Sequence, residues 1–116
     1  FTGYNDARLR TVNVCDTADG NQMYQLGYEF LVDGVPVSLT PKEYEILKLF
    51  MSNPEKVYAP KDIYRIVWKE KPFGSENTVA VHIRHLREKI EIDPADPRYI
   101  RVIFGQGYIM KEGNRR

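Results

Sequence analysis

Cysteine is almost missing from this chain: Cys15 stands alone, so no internal disulfide can form. A lone thiol fits a reducing compartment such as the cytosol. No apolar run approaches the length that crosses a bilayer, and the opening residues lack the charged-then-apolar order of a secretion signal. Strong charge of one sign is missing too, the formal net charge being +1. There is no Gly-rich phosphate loop, no paired acidic motif and no nucleophile elbow, so nothing supports an enzyme or implies a cofactor. Repeats and low-complexity tracts are also lacking. A start at Phe1 rather than at methionine leads us to expect a piece of a longer protein.

What is present fits one globular domain: 116 residues, 42% hydrophobic and 28% charged. Charge is unevenly spread along it. Residues 1–40 hold two basic against five acidic residues, residues 41–81 seven against six, and residues 82–116 eight against five. The positive excess lies in the C-terminal third, where a polyanion would dock, although scatter among solvated surface charges gives the same numbers.

Residues 1–39 read as β, with Val12 and Val14 alternating with polar neighbours, and branched or aromatic residues crowding Met23–Leu26 and Tyr28–Val32. Asp33-Gly34, before Val35-Pro36-Val37, predicts a hairpin, because both residues accept positive φ. Ala18-Asp19-Gly20-Asn21 marks another turn. The period then changes. Thr40-Pro41-Lys42-Glu43 combines a cap, a first-turn proline and a capping-box acid, and predicts a helix whose apolar stripe is Tyr44, Ile46, Leu47, Phe50 and Met51, ended by Asn53-Pro54. A second helix starts at Pro60, poorly capped by Ala59, with Ile63, Ile66 and Val67 at helical spacing up to Trp68. Ser75 caps a third, expected to span 75–91. Tyr99–Phe104 and Tyr108–Met110 around Gly105-Gln106-Gly107 predict a closing hairpin. We expect residues 1–8 to be linker or the remnant of a preceding segment, 9–112 the domain and 113–116 a tail.

The third helix carries most of the information. At about 100° per residue, Val79, Ile83, Leu86 and Ile90 share one narrow sector and must face the core. The opposite sector carries Asn77, Val81, Arg84, His85 and Glu88. A branched aliphatic beside an amide, a guanidinium and an imidazole suits a major groove: valine meets a thymine methyl, and the others offer donors to base edges or phosphates. Thr78 and Arg87 lie at the margins, where phosphates would run. The plainer reading is a solvated face with one stray valine. His82 and His85 stand three residues apart without a third ligand nearby, so we expect no metal there. Helix, short connection, helix and basic hairpin together have the order of a winged helix-turn-helix.

Several stretches also resemble the effector domain of OmpR/PhoB-type response regulators. They are Val37–Tyr44, Val67-Trp68, Asn77–Ile90, and Pro97–Arg101 through Gly105-Gln106-Gly107-Tyr108, with His82–Lys89 most similar to the VanR branch. The resemblance implies an α+β winged helix-turn-helix: an N-terminal four-stranded antiparallel sheet, a three-helix core and a C-terminal wing. It also implies double-stranded DNA as partner, a phosphorylatable receiver domain upstream, and binding as two copies on direct repeats. Val81, Arg84 and His85, with Asn77, would face bases. Trp68, Thr78, Arg87, Arg101 and Tyr108 would meet the DNA backbone, and Phe104 and Gln106 would form the wing tip. Lys69, Glu70, Lys71, Pro72 and Phe73 correspond to a loop that in some members contacts RNA polymerase. This chain departs from the pattern at His85 and Phe104, both frequently arginine, and at Ala80, frequently an acid. A winged-helix module that binds protein instead of DNA is the alternative.

Overall fold

The computed structural model describes residues 6, 8–17, 24–74 and 76–111. Strands β1 (Leu9–Thr17) and β2 (Tyr24–Val32) pair antiparallel, and the short β3 (Val35–Pro36) adds to β2. The β2–β3 turn has Asp33 at φ 53° and Gly34 at φ 82°, the conformation the Asp-Gly pair predicts. Strand β3 stops at Pro36, which has no N–H; Val37 adds one more bond to the Phe30 carbonyl at 2.9 Å. The turn expected at residues 18–21, and Met23, lie outside the described residues.

Helix α1 (Pro41–Ser52) begins with the expected capping box. The Glu43 N–H donates to Thr40 Oγ1 at 3.3 Å, and the Thr40 N–H to Glu43 Oε1 at 3.0 Å. Ile46, Leu47, Phe50 and Met51 are buried, while Tyr44 packs edge-on against Phe30 with centroids 5.3 Å apart. Helix α2 (Pro60–Trp68) starts without a side-chain cap at Ala59, whose carbonyl accepts the Asp62 and Ile63 N–H groups. Its stripe differs from expectation: Ile63 and Val67 are buried, but Ile66 is 45% exposed. In a helix this short the i, i+4 pair makes the whole seam, and Ile66 sits on its flank beside Glu45 and Lys48. Helix α3 (Glu76–Ile90) buries Val79, Ile83, Leu86 and Ile90, the predicted face. Its expected cap, Ser75, lies outside the described residues.

The second sheet has the order β4-β6-β5, with β4 at Val57–Tyr58, β5 at Ile100–Ile103 and β6 at Gly107–Met110. Here the resemblance needs correcting: among the described residues the N-terminal sheet has three strands, not four, and β4 joins the wing. Glu55, at φ 70°, turns the chain after α1, and its N–H donates to the Met110 carbonyl at 2.9 Å, which starts that pairing. Gly107 completes it. A Cβ there would stand 2.1 Å from the Tyr58 carbonyl oxygen, so only glycine permits this approach.

Two buried carboxylates tie the elements together. Glu91, just past α3, accepts the N–H groups of Arg98, Tyr99 and Ile100 at 2.6–3.1 Å and so fixes where β5 starts. Asp6 accepts the Arg8 and Leu9 N–H groups at 2.9 and 2.7 Å and the Tyr99 hydroxyl at 2.9 Å. Arg8 reaches the last carbonyl of α3, Ile90, at 2.7 Å, and pairs with Asp33 at 3.1 Å. Both residues fall in the stretch expected to be linker, yet their partners lie throughout the fold. No helix among the described residues is long and apolar enough to cross a membrane.

Candidate nucleic-acid interface

Amphipathic α3 has its apolar sector held in the core, so its opposite sector faces outward. Asn77 and Arg84 are exposed, and Val81 is 43% exposed. Glu76 in the first turn and Arg87 and Lys89 in the last complement the helix dipole. His85 is half-buried at the edge of this face, its Nδ1 4.0 Å from Glu43 Oε2. Glu43 also takes the Lys89 ammonium and is itself buried. Burial pushes the Glu43 carboxyl up, but Lys89 and the Thr40 N–H outweigh it and hold it below the ordinary range. The carboxylate therefore remains charged and, through Lys89, ties the last turn of α3 to the first turn of α1.

Trp68 is half-buried in an aromatic cluster rather than free. Its ring lies parallel to Tyr64 (4.9 Å, 5°) and meets His82 edge-on at 5.0 Å, with Lys42 Nζ 5.5 Å from its centroid. His82 Nδ1 lies 2.8 Å from the Thr78 carbonyl; since a carbonyl only accepts, that nitrogen carries the proton. Thr78 is half-buried beside this cluster. Lys42 also donates to the Val67 carbonyl at 3.4 Å, near the end of α2. Sequence reasoning missed Lys42 and Tyr64. The i, i+4 spacing of Tyr64 and Trp68 was a readable signal for the stack; Lys42 had none.

From Lys69, in the left-handed region at φ 60°, the chain leaves α2 into the loop expected to meet polymerase. Glu70 accepts the Tyr64 hydroxyl at 3.2 Å, Lys71 is exposed, Pro72 is half-buried, and Phe73 is 95% exposed. The hydroxyl of Tyr64 is held above its ordinary pKa by desolvation and by the Glu70 carboxylate.

The wing stands beside α3. Arg87 donates from Nε and Nη2 to the Ile100 carbonyl at 3.1 and 2.9 Å, and its guanidinium lies 5.9 Å from the half-buried Tyr108 ring. Arg101 is exposed, with Nε 3.4 Å from the Arg98 carbonyl. At the tip the Gln106 N–H closes onto the Ile103 carbonyl at 2.9 Å, Gly105 takes φ 79°, and Phe104 is 97% exposed. Lys61, Glu76, Val102, Gln106 and Tyr108 line one open groove of about 450 Å³. The start of α2, the start of α3 and the wing thus border a single concave strip. Lys61 and Glu76 were not among the expected site residues; only the packing of three separate elements brings them together.

Comparison with known proteins agrees with this architecture. Residues 34–110 match the family model described as transcriptional regulatory protein, C terminal. The chain is 49% identical over 82 residues to the transcriptional regulatory protein YcbL of Bacillus subtilis, a match covering 71% of this chain and 36% of that protein. It therefore spans about a third of that relative's length. Among solved structures, the response regulator DrrB of Thermotoga maritima, an OmpR/PhoB homologue, aligns with a TM-score of 0.67 at 33% identity, over 73% of this chain and 38% of that one. The RstA DNA-binding domain of Klebsiella pneumoniae, solved in complex with the RstA box, shares the fold with a TM-score of 0.66 at 18% identity, over 72% of this chain and 82% of that one. This chain belongs to the OmpR/PhoB family of transcriptional regulatory C-terminal domains, winged helix-turn-helix modules that are not enzymes.

Proposed function

We propose that the domain binds double-stranded DNA sequence-specifically and regulates transcription as the output domain of a two-component response regulator in the bacterial cytoplasm. One observation carries this reading: α3 buries Val79, Ile83, Leu86 and Ile90 and turns Asn77, Val81 and Arg84 outward on a single face. Such a face offers an apolar contact for a thymine methyl, an amide suited to adenine and a guanidinium suited to guanine. In this reading α3 lies in the major groove with His85 at its edge. Trp68, Thr78, Arg87, Arg101 and Tyr108 lie near the phosphates, and the wing runs along the backbone or into the minor groove. An upstream receiver domain, binding as two copies on direct repeats, and RNA polymerase contact through residues 69–73 complete the proposal. Selection of duplexes from a random-sequence pool tests it. The expected result is one recurring motif, bound with an affinity that falls steeply with salt, as counterion release requires.

A protein-binding module is the second reading, favoured by the near-neutral net charge and the exposed ring of Phe73. Failure to retain any duplex at low salt and micromolar protein would favour it.

A further inference from the structure

The wing ends in an aromatic side chain that stands almost wholly in water. Phe104 is 97% exposed, whereas Phe30 and Phe50 are buried in the core. A lone exposed phenyl ring on a mobile loop carries little information, but this one is on a braced finger. The β5–β6 ladder runs from Ile100–Met110 to Ile103–Gly107 and is closed by the Gln106–Ile103 hydrogen bond. Its base is held by Glu91, through the Tyr99 and Ile100 N–H groups, and by Arg87 through the Ile100 carbonyl. Its flank is held by β4 at Tyr58, against which Gly107 sits too closely for any other residue. The tip is held in place before any ligand arrives.

What the finger meets follows from its neighbour. Val102 and Gln106 of the wing share a groove with Glu76 at the start of α3, so a duplex lying along Asn77, Val81 and Arg84 also passes the wing. Phe104 has no hydrogen-bond donor or acceptor and cannot read a base edge. A flat apolar ring on a narrow two-stranded finger can instead enter a minor groove about 6 Å wide and slide between base pairs.

Resting on the DNA-binding reading above, we propose that Phe104 is an apolar wedge that enters the minor groove beside the α3 site and unstacks one base step. The step it selects is the one that deforms most readily, a pyrimidine–purine step, so it contributes specificity through deformability without a base-edge contact.

The test uses the 116-residue chain and a duplex selected from the random pool, with 2-aminopurine substituted at successive adenine positions. The wild-type chain is expected to raise the fluorescence several-fold at one step flanking the α3 contacts and to bend the duplex in an energy-transfer assay. Phe104→Ala should abolish the rise and weaken binding about tenfold, while Phe104→Leu, still apolar, keeps part of the rise. Phe104→Arg should keep affinity through phosphate contact and lose the rise. Because the ring is exposed, all three variants should melt with the wild type. Tight binding with no fluorescence rise at any step, or a rise that survives in Phe104→Ala, overturns the wedge and leaves the DNA-binding reading standing. Failure to bind any duplex overturns both, and a ring captured by a protein pocket would then account for its exposure.

Discussion

The guanidinium of Arg87 on α3 donates two hydrogen bonds to the backbone carbonyl of Ile100 on β5, at 3.1 and 2.9 Å. A side chain whose position suggests a phosphate contact is therefore also the strut between α3 and the wing. Its face toward the Tyr108 ring is occupied as well, at 5.9 Å. We expect Arg87→Ala to weaken DNA binding by a similar factor on all sequences. It should also destabilise the fold by about 1–3 kcal/mol, since a charged donor is lost from a part-buried carbonyl. Urea titration, with hydrogen exchange at β5 and β6, checks the second effect. Unchanged stability would assign Arg87 to phosphate contact alone.

Val81 offers the opposite case. It is 43% exposed and outside the core face, so Val81→Ala should leave the melting temperature nearly unchanged. If it meets a thymine methyl, discrimination at one base pair should relax by about 1 kcal/mol, the low end for one base contact. Competition gel shifts against single-base variants of the selected site measure this. An unchanged preference would mean that α3 is rotated differently in the groove.

Glu43 links stability to pH. Its carboxyl is held below the ordinary range in the fold, the cost of burial being outweighed by Lys89 and Thr40. A depressed folded-state pKa contributes stability above the unfolded value, near 4.3, and that contribution is lost as pH falls through the folded value. Stability should therefore drop on acidification below about pH 4 in the wild type, and less steeply in Glu43→Gln. Denaturant midpoints measured between neutral and acidic pH test the sign.

Gly107 should tolerate nothing else. An added Cβ meets the Tyr58 carbonyl oxygen at 2.1 Å, and a φ of 147° is itself strained for any L side chain. Both objections concern backbone, which cannot rotate away. We expect Gly107→Ala to cost about 2–4 kcal/mol and to separate β4 from β6. Loss of hydrogen-exchange protection at Val57, Tyr58 and Ile109, with α3 still protected, is the signature.

The parts of this molecule legible from residues alone are those governed by local rules. Thr40 and Glu43 announce α1 because a capping box closes within one turn. Asp33-Gly34 announces the hairpin because only a few residue types accept two successive positive φ values. The inward face of α3 follows from helical period, since four aliphatic residues at that spacing admit one orientation. Other features had no local sign. Val57-Tyr58 is too short to show alternation, so β4 and its place in the wing sheet were missed. Ile66 looked like core because period alone does not say how wide a nine-residue helix is covered.

Local rules of capping and period settle where the helices begin, which side of α3 turns inward, and which of its residues are left outside. How the polar groups of the fold are engaged depends on packing between distant elements. Arg87 bonds to Ile100, thirteen positions on, Lys89 to Glu43, forty-six positions back, and Asp6 to Tyr99, ninety-three positions ahead. Period and capping act over a few residues, whereas the partner of a long polar side chain is set by whichever distant element packing brings within about 3 Å.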